Sequence, residues 1–296
     1  MNFNEQLKLK MLAFERCLPQ FLPKGNGVLD RAIRYAVNAG GKRLRPVLVL
    51  EAVKIFALPI KKALPAACAI EFIHTYSLIH DDLPSMDNDD LRRGKPTLHK
   101  KFNEATAILA GDALLTDAFG LLASCAKSLP AKRVTKAIEV LSNAAGSNGM
   151  VFGQLKDTLE AGIWNKKNKA VLKTHLELIH KNKTAALLAA SLVVGATLAG
   201  ADQKQIYLLN NYGYKMGFAF QIADDVLDVV ANKQLLGKSG SDAKNNKLTF
   251  VTLYGIDKSL LEAKKLVAQA KAEVSKLGSK VDFLMALADY IVDRKY

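Results

Sequence analysis

The sequence lacks the residue patterns of several common kinds of site. Its three cysteines, Cys17, Cys68 and Cys125, are far apart in a chain of 296 residues and form no C-x-x-C pair. This argues against a disulfide framework and a zinc site, and it favours a reducing compartment. No G-x-x-x-x-G-K-[ST] occurs, so the chain is not a P-loop enzyme. The first residues, MNFNEQLKLKMLAFERC, have no signal-peptide core, and we expect a cytoplasmic protein.

Long apolar runs are scarce, with one exception. Residues 185–201 carry no charge over seventeen positions, which is the short limit for a membrane span. Alanine and glycine make this stretch only weakly apolar, and Lys183 and Asp202 bound it closely. It predicts a buried helix in a soluble protein, and we expect no membrane span.

The composition favours helix. Aromatic residues are 7% of the chain and hydrophobic residues 50%; alanine and leucine are abundant, and clusters of β-branched residues are few. Apolar residues recur at helical spacing almost throughout, with no useful strand pattern, internal repeat or low-complexity linker. The sequence predicts an all-α fold, with one domain over residues 1–296 and ten or more helices.

Two clusters of aspartate interrupt this apolar pattern. HDDLPSMDNDDLRRG covers residues 80–94, and QIADDVLD covers residues 221–228. Asp224 and Asp228 are four residues apart and share a helix face. Asp87 follows Asp81 by six residues, so a turn must bring it back if the two are to share a metal. One such cluster is usually a solvated turn or a helix cap, but two on apolar helices favour carboxylates that hold Mg²⁺.

Cationic residues accompany the aspartates. The net charge is +14, which suits an anionic partner but is also typical of a lysine-rich surface. GGKRLRP supplies Lys42, Arg43 and Arg45, and two more arginines directly follow the first cluster. Acids and bases together predict a phosphorylated ligand that is held through Mg²⁺ and by direct contacts. We expect no nucleic acid, since buried carboxylates repel phosphate unless a metal intervenes.

These motifs resemble a known family. GGKRLRP, LIHDDLPSMDNDDLRRG, AGDALL, GQLKD, HKNKT and FQIADDVLD are similar to motifs of the trans-isoprenyl diphosphate synthases, and most of all to the bacterial farnesyl diphosphate synthases (geranyltranstransferases). The resemblance implies an isoprenoid-synthase-like helical bundle around a central cavity, usually a homodimer. It implies condensation of isopentenyl diphosphate with dimethylallyl or geranyl diphosphate to (2E,6E)-farnesyl diphosphate and pyrophosphate. The chain departs from the family in lacking the doubled glycine often found before Gln154.

The resemblance also implies roles for individual residues. Three Mg²⁺ ions are expected when both substrates are bound, with Mn²⁺ as an alternative. Asp225 and Asp228 would support the metal through water or by orienting ligands. The metal ligands would be Asp81, Asp82, Asp87 and Asp224; the allylic diphosphate would contact Arg92, Lys183 and Lys238; isopentenyl diphosphate would contact Lys42, Arg45, His74 and Arg93; and Thr184 and Gln221 would face the carbocation.

Product length depends on residues before the first aspartates. Tyr76 and Ser77 stand five and four residues before Asp81, and a tyrosine ring there would form a floor under the growing product. This pattern predicts a farnesyl (C15) product. The alternatives are a synthase of longer geranylgeranyl or polyprenyl chains, a terpene cyclase and a non-catalytic regulatory subunit. A terpene cyclase would leave Lys42, Arg45 and Arg93 without a role.

Overall fold

The computed structural model describes residues 2–159, 168–235 and 248–293, without the side chains of residues 231–235. These residues form two compact units. One comprises Met1–Leu141 with Val193–Ala201, and the other comprises Ser142–Leu192 with Asp202–Tyr296. The described residues contain more than ten helices and one two-residue hairpin, which confirms the all-α class.

The helices up to residue 145 begin with a capped amphipathic segment. Asn2 caps α1, and its side chain and that of Glu5 form a reciprocal capping box. Asn103 caps α6 by accepting the N–H of Thr106. In order, these helices are α1 (Phe3–Cys17), α2 (Val28–Val37), α3 (Leu44–Ile55), α4 (Leu64–Asp81), α5 (Leu98–Lys101), α6 (Glu104–Ser124) and α7 (Ala131–Ala145).

The later helices include one irregular turn. Residues His180–Ala185 form a π-helical turn between the helices Lys169–Ile179 and Ala186–Ala199, a rare conformation that is frequent at functional sites. The helices are α8 (Met150–Leu159), α9 (Lys169–Ile179), α10 (Ala186–Ala199), α11 (Gln203–Leu235), α12 (Phe250–Tyr254), α13 (Ile256–Val274) and α14 (Asp282–Asp293).

Helices α4 and α10 are buried almost all round, as their small and apolar side chains allow. Two helical segments are long and apolar enough to cross a membrane by length and composition, Glu104–Lys127 and Lys169–Ala199. The most apolar window of the second is 89% buried inside the protein, and Leu187, Leu192 and Val194 are fully buried. The prediction of a buried core helix at residues 185–201 is therefore confirmed.

The hairpin lies directly after the first aspartates. Strands β1 (Leu91–Arg92) and β2 (Lys95–Pro96) pair antiparallel. Arg93 and Gly94, at the two central turn positions, have φ angles of 55° and 73°, as a type I′ turn requires. Sequence reasoning missed this hairpin, because arginine is an unusual residue at the first of these positions.

Candidate active site

The first aspartate cluster folds back on the end of α4. The backbone N–H of Asp87 donates to the carbonyl of Asp81 at 2.9 Å, and the N–H groups of Met86 and Asn88 both donate to the carbonyl of Leu83, at 2.9 and 3.1 Å. The structure thus contains the turn that the six-residue spacing requires. Asp81 and Asp87 are both half-buried, so their carboxylates remain accessible to a ligand.

Asp82 has a protein partner. Its side chain is 5% exposed and lies 2.5 Å from Nη2 of Arg92, while Nε of Arg92 donates to both carboxylate oxygens at 2.7 and 2.9 Å. Burial raises the pKa of Asp82, and the Arg92 guanidinium opposes that rise. In this structure Asp82 therefore holds Arg92 in place. Metal ligation by Asp82 stays a prediction.

Arg93 joins the first cluster to the GGKRLRP segment. Its guanidinium donates to the carbonyl of Gly40. A Cβ on Gly41 would lie 2.6 Å from Cζ of Arg93, so a side chain at position 41 would displace this contact. Gly40 and Gly41 have φ angles of 88° and 126°, which favour glycine. The two motifs predicted to bind isopentenyl diphosphate are therefore in contact in the structure.

Arg45 of the GGKRLRP segment also contacts His74 on α4. Nη1 of Arg45 lies 3.3 Å from Nε2 of His74. Burial, followed by the charges of Arg45 and Arg93, lowers the pKa of His74 well below its ordinary value, so the ring is neutral at pH 7. Because a guanidinium only donates, Nε2 of His74 is the acceptor. Lys42 lies nearby in sequence and is exposed.

Arg43, the middle cation of GGKRLRP, lies inside the protein. Its side chain is 2% exposed and lies 2.5 Å from Glu71 and 3.2 Å from Glu15; it also donates to the carbonyl of Val37 at 2.7 Å. Its φ of 42° places it in the left-handed region. Arg43 therefore makes its contacts inside the protein, whereas its neighbours Lys42 and Arg45 are more accessible to a ligand.

The π-helical turn presents Lys183 and Thr184. Nζ of Lys183 lies 2.6 Å from Oδ2 of Asp157 on α8. A Cβ on Gly153 would lie 2.2 Å from the backbone nitrogen of Lys183, so glycine is needed for α8 to pack against this turn. This contact gives the GQLKD and HKNKT motifs a shared structural role.

Hydrogen bonds connect the π turn with the second aspartate cluster. Oγ1 of Thr184 lies 2.9 Å from Oε1 of Gln221, and Nε2 of Gln221 lies 3.2 Å from Oδ1 of Asp225. The backbone N–H of Phe250 donates to Oδ2 of Asp225 at 3.1 Å. Asp224 is half-buried and Asp225 is buried. The two residues predicted to face a carbocation thus lie together.

Sequence reasoning missed His180. The ring is 5% exposed and packs against the rings of Phe218 and Phe250 at centroid distances of 5.5 and 5.6 Å. Its Nε2 lies 4.0 Å from Oδ2 of Asp225. Burial lowers the pKa of His180 to about 3, so it is neutral at pH 7. The signal available in the sequence was its position, three residues before Lys183.

The residues predicted to limit product length lie on α4. The ring of Tyr76 is 5% exposed and contacts His80 edge-on at 5.8 Å between centroids. Burial, followed by the charge of Asp81, raises the pKa of Tyr76 to about 12. The hydroxyl of Ser77 donates to the carbonyl of His74 at 2.9 Å. Tyr76 is therefore a fixed, neutral ring one helical turn before the aspartates.

Potential metal ligands are sparse. In residues 2–159, 168–235 and 248–293, no three His, Cys, Asp or Glu side chains group closely enough to hold a metal by themselves. The carboxylates of the half-buried Asp81, Asp87 and Asp224 fit Mg²⁺, which keeps water and phosphate ligands beside one or two carboxylates. Lys238, the remaining predicted contact of the allylic diphosphate, lies outside the described residues.

Comparison with known proteins identifies the family. The model of the polyprenyl synthetases matches residues 26–286. The chain belongs to the polyprenyl synthetase family. A geranylgeranyl diphosphate synthase of Cyanophora paradoxa is 44% identical over 282 residues, which cover 95% of this chain and 92% of that protein. The farnesyl diphosphate synthase of Bacillus subtilis (strain 168) is 42% identical over 270 residues, covering 90% and 89%.

A solved structure agrees with the fold. A geranyltransferase from Legionella pneumophila has a TM-score of 0.85 at 35% identity, covering 98% of this chain and 97% of that chain. This polyprenyl synthetase is therefore a prenyltransferase of isoprenoid biosynthesis with the all-α fold of its relatives. Its relatives include both farnesyl and geranylgeranyl diphosphate synthases.

Proposed function

We propose that the chain condenses isopentenyl diphosphate with dimethylallyl or geranyl diphosphate and releases (2E,6E)-farnesyl diphosphate and pyrophosphate. The observation that carries the proposal is the backbone hydrogen bond between Asp87 and Asp81, at 2.9 Å, beside the ion pair of buried Asp82 with the partly exposed Arg92. It returns the backbone of Asp87 to the end of α4, so that two half-buried aspartates belong to one turn. Such an arrangement suits a diphosphate bound through divalent cations.

The cationic residues bind the two diphosphates. Arg45 and Arg93 contact the isopentenyl diphosphate together with Lys42 and His74, and neutral His74 accepts from Arg45 so that the guanidinium keeps its orientation. Arg92, held by Asp82, and Lys183, held by Asp157, contact the allylic diphosphate. Lys238 joins them. These ion pairs leave further donor N–H groups on each cation for phosphate oxygens.

Asp81, Asp87 and Asp224 are the residues that would hold Mg²⁺, with Asp82 adjacent to the first two. When bound, Mg²⁺ supplies charge neutralisation for the leaving pyrophosphate. The C–O bond of the allylic substrate breaks, and the isopentenyl double bond attacks C1 of the allylic cation. A proton then leaves for the pyrophosphate. Thr184 and Gln221 present oxygen atoms to the cation and stabilise its charge without trapping it.

Tyr76 supports a farnesyl product. Its ring is buried, neutral and supported by His80, one turn before the aspartates, where the product tail would extend along α4. The competing function is a longer-chain synthase, which the 44% identity to a geranylgeranyl diphosphate synthase favours. The 42% identity to a farnesyl diphosphate synthase supports the shorter product.

A homodimer in the cytoplasm is part of the proposal. Apolar side chains lie exposed on α6: Ile108 is 43% exposed and Leu109 is 58% exposed. An apolar helix face of this kind suits contact with a second copy of the chain. Light scattering of the native protein and of Leu109→Lys would test this, and a monomeric native protein would reject it.

Product analysis tests the proposed function. The purified protein is incubated with isopentenyl and geranyl diphosphates, with and without Mg²⁺, and the dephosphorylated alcohols are identified by mass. A Mg²⁺-dependent farnesol is expected. Longer alcohols would keep the mechanism and reject the assigned length, and no product under any metal condition would reject the enzymatic function.

A further inference from the structure

The carboxylate of Asp225, the middle aspartate of the second cluster, is buried and has hydrogen-bond donors at both oxygens. The residue is 4% exposed. Its Oδ2 accepts the backbone N–H of Phe250 at 3.1 Å, and its Oδ1 lies 3.2 Å from Nε2 of Gln221. Each carboxylate oxygen of Asp225 thus accepts a hydrogen bond from a donor of the protein. Asp225 is therefore bound to its own protein surroundings.

These contacts determine the orientation of the Gln221 amide. The NH₂ group of Gln221 donates to Oδ1 of Asp225. The amide oxygen then faces Thr184, 2.9 Å from Oγ1. Because that oxygen is only an acceptor, the Thr184 hydroxyl donates its proton to it. The hydrogen-bond order from Asp225 to Thr184 is thereby fixed.

We propose that Asp225 is a positioning residue that makes Thr184 present oxygen lone pairs, and not its hydroxyl hydrogen, to the allylic cation. This rests on the proposed function of the site. When the Thr184 hydroxyl donates its hydrogen bond to Gln221, its oxygen lone pairs can face a developing positive charge. Because this dipole is already fixed, it needs no reorientation during the reaction. Asp225 does this through Gln221, without touching the substrate itself.

The far end of this hydrogen-bond chain is a backbone N–H, which cannot reverse its polarity. Whatever residue occupies position 225 must place an acceptor at Phe250. Asparagine would therefore keep its oxygen at Phe250 and turn its NH₂ to Gln221. The Gln221 amide would reverse, and Thr184 would have to accept from it. In Asp225→Asn, the hydroxyl hydrogen of Thr184 is therefore expected to point towards the cation.

A double-mutant cycle on turnover of geranyl and isopentenyl diphosphates tests the proposal. Asp225→Asn should lower kcat by roughly 100-fold with little change in either KM. In the Thr184→Val background, which has no hydroxyl to reorient, the same substitution should lower kcat by about threefold or less. Equal losses in both backgrounds would overturn the proposal. The matched control is Asp228→Asn, which removes a carboxylate from the same cluster. It should lower kcat by the same factor in both backgrounds.

A second measurement does not depend on activity or on the folding of Asp225→Asn. The ¹⁵N signals of the Gln221 side-chain amide, assigned with Gln221→Leu, are compared between the native protein and Thr184→Val. Removal of the hydroxyl should shift them. Unmoved signals would overturn the proposal even in an active enzyme. If the signals differ between the two proteins but the native protein makes no product, the proposed function is rejected and the hydrogen-bond order is retained.

Discussion

The backbone N–H of Asp87 donates to the backbone carbonyl of Asp81, which draws the chain after α4 back to the helix end. Neither side chain takes part in this hydrogen bond. Replacement of either carboxylate should therefore leave the turn in place. The contribution of each carboxylate to activity can thus be measured separately from the contribution of the turn to the fold.

Removal of the Asp81 carboxylate should abolish most of the activity. We expect Asp81→Ala to lower kcat by about 10³-fold or more, since the proposed metal binding and charge neutralisation would depend on it, and Asp224→Ala to act similarly. Circular dichroism should show unchanged helix content. The matched control is Asp90→Ala, because Asp90 is exposed and paired with Lys100 on the surface. Near-native turnover in Asp81→Ala would contradict the metal assignment.

Truncation of Tyr76 should lengthen the product. In Tyr76→Ala the ring supported by His80 is absent, so the chain tail can extend further along α4, and mass analysis should detect geranylgeraniol or longer alcohols. Tyr76→Phe keeps the ring and should keep farnesol as the main product. If Tyr76→Ala and the native protein give the same product distribution, the floor of the pocket is formed by other residues.

Two glycines on α6 provide a matched test of packing. A Cβ on Gly111 would lie 2.1 Å from Nε2 of His80, whereas a Cβ on Gly120 meets no atom within 4 Å. His80 also lies 3.1 Å from the carbonyl of Ile108, so it cannot move without losing that contact. Gly111→Ala should destabilise the protein by about 1–3 kcal/mol, and Gly120→Ala should stabilise it by about 0.5–1 kcal/mol. Urea unfolding would measure both; equal effects would refute close packing at Gly111.

The stability of the protein should decrease in mild acid, in part because of His180. Burial lowers the pKa of His180 to about 3 in the folded chain, whereas the ordinary value is 6.5. Below pH 6.5 the unfolded chain binds a proton that the folded chain does not, so this group lowers stability by about 1.4 kcal/mol per pH unit, down to its folded pKa.

His180→Phe should remove this contribution, because the ring would still pack against Phe218 and Phe250. Between pH 7.5 and 5.5, the loss in free energy of unfolding should be about 1.4 kcal/mol smaller in the variant than in the native protein. Urea titrations at the two pH values would measure it. An identical loss in both proteins would mean that His180 is protonated in the folded state.

The sequence predicted the all-α class, the buried helix at residues 185–201 and the turn between Asp81 and Asp87, because helical periodicity and spacing are local properties. Residue type and spacing did not distinguish Arg43 from Lys42 and Arg45; only the family resemblance selected the other two. The partners that bury Arg43, Glu15 and Glu71, are 28 residues away on either side. No local pattern reveals such a contact.

The π turn and the donors to Asp225 were also beyond sequence reasoning. The sequence HKNKT is typical of an ordinary α-helix. A π turn differs from an α turn by about one residue per turn, and its amino-acid composition is not distinctive. The N–H of Phe250 comes from a segment 25 residues beyond Asp225. Both features depend on packing between distant segments, which residue type and spacing do not encode.

The π turn also affects how this enzyme could have changed during evolution. A π turn accommodates one more residue than an α-helical turn, whereas adding or deleting a residue in a regular helix rotates everything on one side by about 100°. Along Lys169–Ala199, the segment His180–Ala185 is therefore the place where a single-residue deletion could be absorbed by reverting to regular helix. Such a deletion would keep both flanking helices but remove the local geometry of Lys183 and Thr184, and with it their proposed contacts with the allylic substrate.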